Sequence, residues 1–228
     1  MDKYNEFTDK IDRDRNRYDF VTYQLNKSDL QKLQMLRSLR DMCKDCTICY
    51  LGRTLHTHNN IHINNQHVFS NMKISKFFLI GQNPGAEECE HDEPFIGISG
   101  KNFNTEISKY DLSRDMFWIS NAVKCHTPEN RKPTIEEASA CENYLAMEIA
   151  ILKPTLIIAL GAFAFSVLCP NDIFGKSLGK ITHSKFKIPV YATYHPSPRN
   201  LELPDRKKKF ESDIQMMSKL VKKLLSKI

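Results

Sequence analysis

Four cysteines stand where thiolates could share one metal centre. Cys46 and Cys49 form a C-x2-C pair in CTICYLGR, Cys125 ends NAVKC, and Cys141 follows sixteen positions later in a run with helical character. Two separated pieces of chain that supply four thiolates can be clamped by a structural zinc or by a 4Fe–4S cluster, and spacing alone does not separate the two. Cysteine also serves as a small buried hydrophobe, and Cys43 offers a rival pair with Cys46 in CKDC. Cys89 and Cys169 have no partner pattern and read as packing residues.

A second set of chemical residues lies in two loops. GQNPGAEECEHDEPFIGISGK is dense in Gly and Pro, which fixes a tight backbone path and lets a ligand approach the main chain. YHPSPRN places His195 beside two prolines, which hold it rigidly. Neither a GxGxxG fingerprint nor a P-loop is present, which argues against nucleotide cofactors. His56, His58 and His62, in the Asn-rich loop HTHNNIHINNQH, read as exposed polar residues rather than ligands.

These groups need a scaffold that brings them together. Short apolar runs at 76–81, 116–121, 155–161 and 188–195 read as buried strands. Helical segments fall between them at about 101–110, 134–152 and 162–169, with an amphipathic helix at about 205–227. A helix over 28–44, capped by Ser28, puts Leu30, Leu33, Leu36 and Leu39 on one face and delivers the chain to the cysteine pair. Strands alternating with helices predict an α/β fold: one three-layer domain over 28–228, with a central four-stranded, mostly parallel sheet flanked by helices. In such folds ligands gather past the carboxyl ends of the strands. Residues 1–27 read as a polar extension.

Length and composition bound the rest. The chain has 228 residues, 41% apolar, enough for one core. No stretch reaches the ~20 apolar residues of a membrane span. The start is too charged for a signal peptide. The expectation is therefore an intracellular protein with no membrane partner, in which seven cysteines serve metal or free thiols rather than disulfides. A net charge of +6 permits an anionic partner such as nucleic acid.

The motifs together resemble one family, the iron–sulfur uracil-DNA glycosylases, family 4 of the uracil-DNA glycosylase superfamily. CTICYLGR is similar to the family's cysteine segment and selects Cys46 and Cys49 over Cys43. GQNPG with its PFIG follow-on, SNAVKC, NRKPTIEEASACENYL, LGAFAF and TYHPSPRN follow in the family's order over about residues 40–225. The resemblance implies a 4Fe–4S cluster on Cys46, Cys49, Cys125 and Cys141, clamping the N-terminal segment. It implies DNA as partner, a monomer, and hydrolysis of the N-glycosidic bond of a flipped uracil or 5-substituted uracil. Gly81, Gln82, Gly85, Phe95 and Asn121 would bind the base. Phe95 would stack on the pyrimidine, and the Asn121 amide would match its O4 and N3–H edge. His195 would stabilise the departing anion at O2, and Ser197, Arg199 and Asn200 would meet DNA.

The chain departs from the family at Gln82 and Asn83, where a Glu and a small residue are usual. GQNPG looks like a blend of GQDP from the main uracil glycosylases with GINPG from the mismatch-specific ones, so Asn83 is expected to position the attacking water. Gly85 stands where the main uracil enzymes carry a Tyr that blocks the 5-methyl of thymine, so room for a 5-substituent is expected there. Two other readings stay open: a transferase acting at the 5-substituent of a flipped modified thymine, and a non-catalytic binder of flipped bases.

Overall fold

The computed structural model describes residues 29–57 and 67–227. The expected extension at 1–27, the cap Ser28, the side chain of His56, and His58 and His62 lie outside the described residues.

Apolar runs without polar interruption make the sheet. β1 (Phe77–Gly81), β2 (Trp118–Asn121) and β3 (Leu156–Leu160) are buried along their whole length, and β5 (Pro189–Thr193) from its second residue. Strands buried on both faces are what a parallel sheet under two helical layers requires. The order is β2-β1-β3-β5-β4, with β1, β2, β3 and β5 parallel. The sheet has five strands rather than four. β4 (Ile181–His183) pairs antiparallel with β5 at the edge, and its three residues are partly or fully exposed. It carries no apolar run, because an edge strand open to water does not need one.

Successive side chains on each strand leave for opposite faces. Phe78 and Ile80 of β1 and Ile157 and Ala159 of β3 meet one layer, formed by α1 (Asp29–Lys44), α5 (Ile135–Leu152) and α6 (Ala162–Leu168). Phe77, Leu79, Ile158 and Leu160 meet the other, formed by α4 (Ile98–Ser108) and α9 (Pro204–Leu225). On α1 the buried face is Leu36, Leu39 and Cys43, and Leu30 is exposed. Thr134 caps α5 by accepting from the Glu137 N–H, while Glu137 takes the Thr134 N–H and Arg131.

Four short helices fall where loops were expected: α2 (Tyr50–Thr57), α3 (Ala86–His91), α7 (Phe174–Ser177) and α8 (Pro198–Leu201). α4 begins at Ile98, three residues before the expected start. β2 begins at Trp118 because a 3-10 turn occupies Arg114–Met116.

Candidate active site and cysteine centre

The carboxyl ends of β1, β2, β3 and β5 lie side by side, and the residues singled out from the sequence sit on them. Gly81 ends β1 and pairs with Asn121 at the end of β2. A Cβ on Gly81 would lie 2.6 Å from Cζ of Phe95 and would also collide with Asn121 Oδ1. Phe95 and Asn121 thus converge on the one position where no side chain intervenes. The Phe95 ring faces His195, with centroids 5.8 Å apart at 44°. Phe95, Asn121 and His195 therefore gather at one place on the strand ends.

Phe95 has φ of 55°, which is costly for a bulky residue. Its surroundings over-determine it. Arg114 donates to the carbonyls of Phe95 and Pro94, each at 2.9 Å. The Glu88 carboxylate accepts from the N–H groups of Ile96 (3.1 Å), Gly97 (2.8 Å) and Gly85 (3.1 Å). Glu88 is thus a strut joining the loop after β1 to the Phe95 loop. A Cβ on Gly85 would stand 2.6 Å from Glu88 Oε2.

Asn121 is buried, and its Oδ1 has no hydrogen-bond partner. A buried acceptor without a partner costs about 1–3 kcal/mol. The Asn121 Oδ1 lies beside Gly81, against which the Phe95 ring also packs, and a ligand N–H would satisfy it. His195 is held neutral: burial lowers its pKa from 6.5 to about 4. Gly161, at the end of β3, has φ of 91° and ψ of 167°, a region open almost only to glycine. Its Cβ position lies 3.0 Å from Cβ of His195. Gly161→Ala is expected to lower stability by about 1–3 kcal/mol. It should also displace His195, so that kcat falls more than urea denaturation alone would account for.

Asn83 is fixed by both ends of its amide. Its Nδ2 donates to the Pro84 carbonyl and to Thr127 Oγ1, both at 3.1 Å, and its Oδ1 accepts from Gln82 Nε2 at 3.1 Å. Because the Pro84 carbonyl only accepts, the amide can point one way. Oδ1 keeps a second lone pair. Thr127 Oγ1 donates onward to the Arg131 carbonyl at 2.6 Å, and His126 Nδ1 lies 3.0 Å from the Pro84 carbonyl.

Of the three residues expected to meet DNA, Ser197 precedes α8, Arg199 is exposed on it, and Asn200 turns inward. Asn200 Nδ2 donates to the His195 carbonyl at 2.9 Å, and its Oδ1 accepts from Arg206 at 2.8 Å. Gln82, Asn83, His195, Ser197, Arg199 and Asn200 all border a cleft of about 850 Å³.

The cysteine centre adjoins this site. Cys43, at the end of α1, is buried, as are Cys125 after β2 and Cys141 on α5; Cys46 and Cys49 are partly exposed, and none is in a disulfide. The five sulfurs lie within electrostatic reach of one another. Burial, and then the charges of Cys141, Cys43, Cys49 and Cys46, push the Cys125 thiol far up. Burial pushes Cys141 up to about 12, against the pull of the Lys124 N–H and ammonium. Among the described residues no three such side chains are drawn together around a single ion. Gly52 of α2 abuts the Cys46 carbonyl, where a Cβ would collide.

Sequence reasoning missed the Glu88 strut and a buried ion pair beside Asn121. Lys124 and Glu148 are both fully buried and hydrogen-bonded to each other. Lys124 Nζ also donates to Ser120 Oγ (2.6 Å) and to the Asn121 carbonyl (2.9 Å), and Trp118 Nε1 donates to Glu148 at 3.0 Å. The signal was a Lys in an otherwise apolar stretch, NAVKC.

The family model of the uracil DNA glycosylase superfamily matches residues 67–217. The chain is 31% identical over 191 residues to a type-4 uracil-DNA glycosylase of Pyrobaculum aerophilum, covering 79% of this chain and 92% of that one. It is 30% identical over 156 residues to the type-4 enzyme of Archaeoglobus fulgidus, covering 64% and 77%. With that of Saccharolobus solfataricus it shares 36% over 143 residues, 58% and 66% of the two chains. Phe95, Asn121 and His195 gathered at the strand ends, and these matches over most of the chain, lead to one statement: the protein belongs to the uracil DNA glycosylase superfamily.

Proposed function

We propose that the protein hydrolyses the N-glycosidic bond of uracil swung out of DNA. The observation that carries this is the unpartnered, buried Oδ1 of Asn121, gathered with Phe95 and His195 at the strand ends. A base inside a duplex cannot be reached, so the nucleotide must leave the stack. Phe95 gives the pyrimidine a face to lie on. Asn121 Oδ1 accepts its N3–H, and the Asn121 Nδ2 donates to O4. Cytosine, with an acceptor at N3 and a donor at C4, meets the same amide with two mismatches.

As the bond between C1′ and N1 breaks, the sugar gains oxocarbenium character and the pair of electrons leaves with the base. Neutral His195 donates a hydrogen bond to O2, where negative charge grows. Water held by the free lone pair of Asn83 Oδ1 adds to C1′, and its proton passes to solvent or to the departing base. Asn83 is not basic at neutral pH, so it orients the water without deprotonating it. The names of the relatives speak for excision rather than group transfer at a 5-substituent.

Uracil-containing DNA treated with pure protein and then alkali should be cut at uracil. Intact strands would overturn the reading. Asn83→Ala should lower kcat by about 10²-fold with KM little changed, and an unchanged kcat would remove its role. Duplexes bearing thymine or 5-hydroxymethyluracil test the room at Gly85: with no side chain there, 5-hydroxymethyluracil should be cut as well as uracil is, and strict preference for uracil would end the wider-pocket idea.

Cys46, Cys49, Cys125 and Cys141 would hold a 4Fe–4S cluster, which supplies a structural clamp and no step of the hydrolysis. What supports this reading is that Cys46, Cys49 and Cys141 all lie within electrostatic reach of Cys125, so that the four thiols are neighbours. Pure protein should contain about four iron atoms and as many acid-labile sulfides, and Cys125→Ala should lose both. One zinc per chain would overturn the assignment.

A further inference from the structure

The cleft of about 850 Å³ has Gln82, Asn83 and His195 in its lining but neither Phe95 nor Asn121. The part lined by the remaining residues, its far arm, is therefore not the seat of the flipped base. It is also larger than one pyrimidine needs, since cavities of this size hold whole drug-sized ligands.

The lining of that arm has a distinct composition. Phe163, Phe174 and Tyr194 supply three aromatic rings, and Lys132, Arg199 and Arg206 three cations; among the described residues no carboxylate borders the cleft. Two rings already carry a cation. Lys132 Nζ stands 5.4 Å from the centre of Phe163, and the Arg206 guanidinium 5.6 Å from that of Tyr194. Phe174 meets Tyr194 edge-on at 5.9 Å, which leaves Tyr194 propped between a ring and a guanidinium. Arg206 is further held by Asn200 at 2.8 Å, so this flat cation is fixed in place. Aromatic faces interleaved with fixed cations, without negative charge, are what an unpaired nucleotide selects. The rings and the guanidinium stack on its base, and the cations take its phosphate.

We propose that this arm is a subsite for the unpaired nucleotide next to the flipped uracil on the same strand. The inference deepens the excision reading and rests on it for the placing of the uracil. One consequence is preference for single-stranded or frayed DNA. In a duplex the neighbouring base stays stacked and paired, and the arm goes unused.

The test uses single-stranded oligonucleotides with one uracil, in which the base on its 5′ or its 3′ side is replaced by a tetrahydrofuran abasic residue. Removal of the base on one of the two sides should raise KM about tenfold with kcat unchanged. Phe174→Leu keeps the apolar contact with Phe165, which lies 5.7 Å away between centroids. It should raise KM for the intact oligonucleotide and make the abasic replacement inconsequential. Lys132→Gln, at an exposed position, should weaken the binding of uracil-free pentathymidylate, read by fluorescence anisotropy, and flatten its salt dependence by about one unit of slope. A wild-type KM indifferent to both neighbours, or a Phe174→Leu enzyme that still responds as wild type does, overturns the subsite. A protein that binds pentathymidylate in this Lys132-dependent way and never excises uracil would keep the subsite and sink the excision reading instead.

Discussion

Lys124→Met should lower stability by about 3–5 kcal/mol, the effect of stripping one partner from a buried ion pair. For a chain of this size that is a fall in Tm on the order of 10 °C. Glu148 is fully buried, and burial already pushes its carboxyl up while Lys124, Trp118 and Ser120 pull it back. With Lys124 gone the carboxylate must protonate or remain uncompensated. Lys124→Met/Glu148→Gln should recover much of the loss, because the pair would leave together and Trp118 would keep an acceptor. The same ammonium holds the Asn121 carbonyl. The double variant should therefore regain stability without regaining full discrimination of uracil from cytosine. Thermal melts of the two variants beside excision assays check both parts. A Lys124→Met protein as stable as wild type would show that the pair does not hold this end of β2.

His195→Ala should lower kcat about 10²–10³-fold, the effect of removing a donor aimed at developing negative charge. The pH dependence identifies the form that acts. With a pKa near 4 the ring is neutral throughout the range in which DNA is stable. Excision by the wild type should then be flat from about pH 5 to 8 with respect to this group. Were the imidazolium the active form, the rate would fall as pH rises through about 6.5. Stability carries the opposite sign of evidence. As pH falls from 6.5 toward 4, the unfolded chain takes up a proton that the folded chain refuses, so stability is lost across that window, by up to about 3 kcal/mol. His195→Ala should abolish that part of the acid sensitivity, which urea titrations at pH 7 and pH 4.5 would reveal.

The four buried strands were legible because a strand covered on both faces has to be an apolar run. Phe77–Gly81 and Leu156–Leu160 are of this kind. β4 was not legible, since three half-exposed residues at an edge obey no such demand. Gly81, Asn121, Gly161 and His195 could be brought together on paper because in a parallel sheet the residues at and just past the strand ends share one edge. Glu88 escaped notice because it acts through backbone groups of other residues, as when it takes the N–H of Gly97, and such partners leave no trace in residue type. Lys124 showed only as a cation among apolar residues, since its partner Glu148 lies 24 positions away on another element. Cys43, which spacing offered as a rival to Cys49, also lies within reach of Cys125, so spacing alone could not choose among the five.

The ties around Asn83 bear on how this lineage can change. The Pro84 carbonyl and the Thr127 hydroxyl, whose hydrogen is committed to Arg131, both present lone pairs to position 83. An amide answers them, whereas a carboxylate would confront two acceptors with nothing to give. Acquiring the more reactive acid at 83 thus demands a simultaneous change at 127, and across descendants of this chain those two positions should be inherited as a couple.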